Sequence, residues 1–352
     1  MLCALCVLSG KIMKAIPIEI NWHPGLSIFA SESFLKAVGD EYGWLGGIDD
    51  SGKLHCILPY TITRKVIFRL VRFRVETIPL EDEFDIQEEK SFLSSAIEYL
   101  RSISADIIIP GTNNAIFRTY PDGADAAPYG SYIIDLGQQE DVLWSNMSHK
   151  YRKDIRAAIN KGVRIQSGIE HLDTAYRLVR DTFKKSNLGF MDYEAFKRYV
   201  LGLGENVKIL IAGYQGVAQS CTVFPFSDYS AYGVYGGSIA EPISGAMKLV
   251  QWEAIRLFRK LGVQRFDFVG ARVNPEKGSK QEGIILFKQY LGGRPVQGYI
   301  WKYPLRPLGS LAYSLGVRFL RGGDIVDNER HKMKHYTGLA IEEGFDKTGK
   351  LC

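Results

Sequence analysis

The stretch FDFVGARVNPEKGSKQEGIILFKQYLGG, Phe266 to Gly293, places two charges inside apolar runs. Asp267 stands on a strand-like segment, and Lys288 stands between Phe287 and the Tyr290-Leu291 pair. A lone buried carboxylate is costly, so Asp267 calls for a partner or a ligand. A lysine partly buried beside a reacting carbonyl stabilises the negative charge that develops on its oxygen. The alternative is an ammonium that snorkels to water along its stem. Between the two, Lys277, Gly278 and Lys280 form a cationic loop suited to an anionic group.

Three further stretches could hold anions. In YGGSIAEPISGAMKLVQWEAI, Tyr235 to Ile255, a strand ends at Gly236 and Gly237 and a helix starts near Ser244-Gly245-Ala246. Small residues let a ligand approach a helix N-terminus, whose unpaired N–H groups and dipole favour phosphate or carboxylate. An ordinary connection capped by Ser244 reads equally well. Ser238 lacks the G-x-S-x-G turn of a nucleophile elbow, so a triad with Asp267 and His331 is not expected. In SHKYRKDIRAAINKG, Ser148 to Gly162, Arg152 and Arg156 are i,i+4 neighbours whose repulsion an anion would relieve. The bland alternative is a solvated basic face eased by Asp154. In RKVIFRLVRFRV, Arg64 to Val75, five bases occur without an acid. They suit an anionic substrate or lipid headgroups, but an exposed edge strand guarded by charge is the preferred reading.

The elements that must position these residues come from an ordinary globular composition. Of 352 residues, 46% are hydrophobic and 24% charged. The net charge of +5, from 44 bases and 39 acids, permits an anionic ligand without demanding nucleic acid, and DNA is not expected as a partner. The five cysteines are irregularly spaced, and the Cys3-x-x-Cys6 pair has no second pair to complete a metal site. Reduced thiols in the cytoplasm fit best. His331 and His335 have helical spacing but lack the H-E-x-x-H glutamate, so they read as surface residues and no metal is expected. Leu2 to Leu8 is too short to span a bilayer, and residues 1–13 read as a disordered leader. Leu308 to Leu320 is apolar with Arg306, Arg318 and Arg321 around it, which suits either a membrane surface or a docking helix.

An internal duplication organises the rest. GKLHCILP (Gly52 to Pro59) matches GVAQSCTVFP (Gly216 to Pro225), and IEYLRSISADIIIPG (Ile97 to Gly111) matches IRLFRKLGVQRFDFVG (Ile255 to Gly270), in the same order. Two like α/β units in tandem are predicted, the second opening on a helix from Trp144 to Gly162.

Four places together resemble the FemAB-type branch of the GNAT acyltransferases, the peptidoglycan-bridge aminoacyltransferases and their relatives. They are the Trp144–Gly162 helix, the helix around Gln251 to Ile255, the FDFVGA strand, and the run from Lys277-Gly278 through Phe287-Lys288 to Gly292-Gly293. The resemblance implies an α/β (α+β) fold of two tandem GNAT-like domains, residues 14–140 and 141–325, with mixed central sheets flanked by helices and a basic tail over 326–352. It implies transfer of an acyl or aminoacyl group to an amine on a phosphate-bearing cell-envelope precursor, nucleotide- or lipid-linked. The setting would be the cytoplasm, with peripheral contact at the inner membrane face. No cofactor would be bound permanently; acyl-CoA or aminoacyl-tRNA would serve as co-substrate. Lys288 resembles a family lysine near the reacting groups, where it would hold the oxyanion together with N–H groups near Tyr235, Gly236 and Gly237. Asp267 would orient the amine. Arg152, Arg156, Lys280 and the helix start at Ser244-Gly245 would hold phosphates. Two departures leave the donor open: no heptad run provides the helical arm of some tRNA-using members, and Ser238 to Ala246 lacks the GNAT pyrophosphate loop. An acyl-CoA-dependent transferase of exopolysaccharide or lipid assembly and a non-catalytic binder of anionic glycolipids are the alternatives.

Overall fold

The duplicated segments occupy equivalent places. In a computed structural model, which describes residues 12–80 and 84–342, the first unit contains β1 (Lys14–Ile18), α1 (Glu32–Val38), β2 (Glu41–Ile48), β3 (Leu54–Lys65), β4 (Phe68–Phe73), β5 (Ile78–Pro79), α2 (Ile86–Ser102) and β6 (Ile107–Ile108). Then follow β7 (Asp125–Asp135), α3 (Glu140–Asn146), α4 (His149–Lys161), β8 (Arg164–Ser167), α5 (Leu172–Lys185) and α6 (Tyr193–Leu201). The chain continues through β9 (Val207–Tyr214), β10 (Val217–Pro225), β11 (Ala231–Tyr232), β12 (Tyr235–Ser238), α7 (Ala246–Lys260) and β13 (Arg265–Asp267). It closes with α8 (Lys280–Tyr290), β14 (Arg294–Pro304), α9 (Pro307–Arg321) and α10 (Ile325–Glu342).

β3 and β10, the first matched pair, are each the second strand of an antiparallel hairpin, with β2 and β9. The second matched pair, α2–β6 and α7–β13, each lead a helix into a short strand. That strand lies parallel to its neighbour, β6 on β4 and β13 on β11. Both helices are amphipathic; α2 buries Phe92, Leu93, Ala96, Ile97 and Leu100, as its sequence spacing predicts. The result is a ten-stranded mixed sheet, β1-β2-β3-β4-β6-β14-β7-β13-β11 with β5 on β3, and a four-stranded sheet, β12-β10-β9-β8.

Three expectations are corrected. The helix predicted from Trp144 to Gly162 is two helices, because Ser148 is extended (φ −59°, ψ 145°) and its side chain caps Tyr151 N–H. Gly162 ends the second in the left-handed conformation (φ 101°) as predicted. The strand around Arg72 is not an edge: β4 lies between β3 and β6. The single strand expected to end at Gly236 and Gly237 is instead two, β11 and β12, which join different sheets.

β7, whose residues fall inside the expected 14–140 boundary of the first unit, pairs with β13 and β14 of the second. β14 pairs with β7 along most of its length and with β6 at its end, so one strand joins both units. Most of the leader, with Cys3 and Cys6, lies outside the described residues. Met13 is buried, and its N–H donates to Ser91 Oγ at 2.9 Å. The last ten residues of the tail and the His335 side chain also lie outside the described residues.

Candidate active site

The split between β11 and β12 creates the site. At Gly233 the backbone N–H still donates to Asp267 O on β13, at 2.8 Å; at Val234 it donates to Val223 O on β10, at 3.2 Å. Over these two residues the chain changes partner, so β12 and β13 splay apart. A cavity of about 1190 Å³ opens there between the two units. Val234, Tyr235, Tyr199 and Val269 line it from the second unit, Arg72 and Arg74 from the first.

On the β13 side, Val269 and Gly270 both have left-handed backbones, with φ of 41° and 52°. For a β-branched residue that conformation is strained, and it persists only where the surroundings enforce it. Here the enforcement is visible. Val269 N–H donates to Asp267 Oδ1 at 2.8 Å, and Lys288 Nζ donates to the carbonyls of Val269 and Gly270. Ser131 Oγ donates to the same Asp267 oxygen. Asp267 (4% exposed) and Lys288 (6%) are therefore brought together through the peptide they share.

Burial pushes the Asp267 carboxyl up; the Ser131 hydroxyl, the Arg265 charge, the Val269 N–H and the Lys288 charge oppose it. Burial likewise pushes the Lys288 ammonium down to about 8, opposed by Asp267. An ammonium has three N–H donors, and Val269 and Gly270 take two. The third has no acceptor among the described residues, and the loop that Lys288 holds is a cavity wall.

Tyr235 lies on the opposite wall, half-buried, against Tyr199 and Phe190 with ring centroids 5.3 Å away in both cases. Burial pushes its phenol up to about 12, opposed by Arg74 and Arg72. Gly236 and Gly237 pair with Thr222 and Cys221 of β10. A Cβ on Gly237 would lie 2.4 Å from the Leu178 carbonyl carbon, so this glycine lets β12 lie directly on α5.

The other expected binding residues lie elsewhere. Arg152 and Arg156 are on α4 and do not reach the cavity; Arg156 stacks over Trp144 at 5.4 Å. It is Asp154, between them in sequence and so on the opposite helix face, that meets the start of α7 and pairs with Lys248. Gly245 (φ 86°) is the N-cap of α7, and no side chain caps it, so Ser244 does not serve as the cap. A Cβ on Gly245 would fall 2.3 Å from Asp154 O. Lys280 donates to Ser186 Oγ at the end of α5.

Arg74 and Tyr199 are cavity residues that the sequence reading does not select. Arg74 is 8% exposed; its Nε donates to Thr61 Oγ1 at 2.8 Å and its Nη2 to Val38 O at 2.7 Å. No carboxylate among the described residues pairs with it, and burial followed by the Arg72 charge holds it below its ordinary value. A buried cation with only neutral partners is a receptor for an anion. The available signal is the R-x-R alternation of Arg72 and Arg74, which puts both on one strand face.

Residues 122–220 match the model of the FemAB family. No curated protein matches the chain in sequence. The fold is similar to the crystal structure of FemX, with 13% identity and a TM-score of 0.64 over 84% of this chain and 99% of that one. It is also similar to the C-terminal domain of a candidate lysylphosphatidylglycerol synthetase from Agrobacterium fabrum, with 13% identity and a TM-score of 0.50 over 85% of this chain and 94% of that one. The segment matched by the FemAB model runs from just before β7 into β10, and the chain as a whole is similar in fold to FemX.

Proposed function

We propose that the chain moves an activated acyl or aminoacyl group to an amine on a phosphate-bearing cell-envelope precursor, nucleotide- or lipid-linked, at the cytoplasmic side. The observation that supports this best is Lys288, a buried cation with one donor to spare behind the wall of the splayed-strand cavity.

In this reading the acceptor amine attacks the carbonyl of a thioester or tRNA ester. The new C–N bond forms first and turns the carbonyl oxygen into an oxyanion; collapse of that intermediate breaks the C–S or C–O bond, and the amine proton leaves with the thiol or hydroxyl. Lys288 stabilises the intervening oxyanion. Asp267 holds the Val269 peptide and, through it, Lys288 in place. Arg74 and Arg72 take an anionic group of the substrate, a role the sequence reading gave to Arg152 and Arg156. A covalent enzyme intermediate is not required: Cys221 is fully buried, with its thiol pushed up to about 12 by burial.

The test is transfer of radiolabelled acyl groups, from a panel of acyl-CoA thioesters and aminoacyl-tRNAs, to nucleotide- and lipid-linked muropeptides. Lys288→Met should lower kcat about a hundredfold or more with the best pair. A loss within about threefold would remove Lys288 from the chemistry.

A further inference from the structure

Helix α9 is apolar on two sides. Its inward side carries Tyr313 and Val317, which line the cavity, and Ser310, whose Oγ donates to Asp106 O at 2.7 Å. Its outward side carries Leu308, Leu311, Leu315 and Phe319, which are 86%, 59%, 58% and 91% exposed. Their spacing makes one stripe down the helix. Tyr313 also meets Phe68 edge-on, with ring centroids 5.7 Å apart. Phe68 belongs to the β3–β4 hairpin, whose turn holds out Val66 and Ile67 at 94% and 81% exposure. Two segments far apart in sequence thus meet at the Phe68–Tyr313 contact, and together they hold out six exposed apolar side chains near the cavity.

Basic residues border both segments. Arg64 and Lys65 precede Val66; Arg306 precedes α9 and Arg318 lies near its end. Arg64 pairs with Glu41 at 2.8 Å and Arg306 with Asp106 at 3.8 Å, but both arginine side chains are more than half exposed and such pairs exchange readily. An apolar stripe bordered by cations matches the boundary between acyl chains and anionic headgroups. A second copy of the chain fits less well, because a two-fold contact would set the same cations against each other.

We infer that α9 and the β3–β4 turn form a docking face for an anionic phospholipid bilayer, with α9 lying in the plane of the membrane surface. No helix among the described residues is long and apolar enough to cross a membrane. Because the inward side of α9 lines the cavity, docking puts α9 between the cavity and the headgroup layer.

Co-sedimentation of the full chain with vesicles tests this, without donor or acceptor present, so its outcome is independent of the transfer assay. One set is phosphatidylcholine alone; the other contains phosphatidylglycerol at roughly one lipid in three. Binding should be about tenfold or more tighter to the anionic vesicles and should weaken with salt. Leu311→Ser with Phe319→Ser, and separately Val66→Ser with Ile67→Ser, should each weaken it about tenfold while leaving the denaturation midpoint in place, since these side chains are exposed. Absence of binding to the anionic vesicles, or binding that both variants retain, overturns the inference. So does a wild-type dimer that the variants convert to monomer with no vesicle binding in either form.

Discussion

At the scale of single residues, the arrangement around Val269 sets a pH dependence with a definite sign. Lys288 must be protonated to stabilise an oxyanion, and burial holds its pKa at about 8. kcat should therefore fall as pH rises through about 8, approaching tenfold per unit beyond it, and stopped-time assays across pH 6 to 10 would show it. A rate that instead rises through that range would make Lys288 a neutral base. Arg74→Gln should raise the KM for the anionic substrate about tenfold or more with little change in kcat, because a charge-assisted contact is lost to ground state and transition state alike. Asp267 and Lys288 are legible in the sequence because a charge within an apolar run stands out. Arg74 is not, because arginines alternating with apolar residues describe an exposed edge strand as well as a strand inside a sheet. Only the pairing of β4 on both sides decides between them.

At the scale of elements, the glycine at the splay makes the clearest prediction. Gly237→Ala would drive a methyl group into the α5 backbone and should destabilise the protein by about 1–3 kcal/mol in urea titration. Ser148→Ala should cost about 1 kcal/mol through loss of the α4 cap. The periodicity of α5, α6 and α7 and the apolar runs of β9 and β13 place those elements within a residue or two of where they lie. β2 escapes notice because Gly43, Gly46 and Gly47 interrupt its pattern. Yet a Cβ at any of the three would come within 2.8 Å of Tyr60, Leu54 or Cys56 on β3, so these glycines are what let β2 lie flat. β7 escapes because Pro128 falls inside it. The break at Ser148 is invisible to apolar spacing, which runs on through Trp144, Tyr151 and Ile155.

At the scale of the whole molecule, the two units are not independent. Phe29, Phe34 and Trp44 of the first share one buried cluster with Phe196, Val223 and Tyr232 of the second. Trp301, on β14, packs on Phe73 and Phe117 with ring centroids 5.4 and 5.3 Å away. Scanning calorimetry should therefore show one cooperative transition, and Trp301→Ala should move all of it, by about 3–5 kcal/mol. Two resolved transitions would mean that the shared cluster and strand couple the halves weakly. The position of β14 also bears on synthesis. Until residue 304 clears the ribosome, β6 and β7 each present an open strand edge, so a nascent chain stalled or truncated short of that point would expose two sites for aggregation, however complete the rest of its sheets.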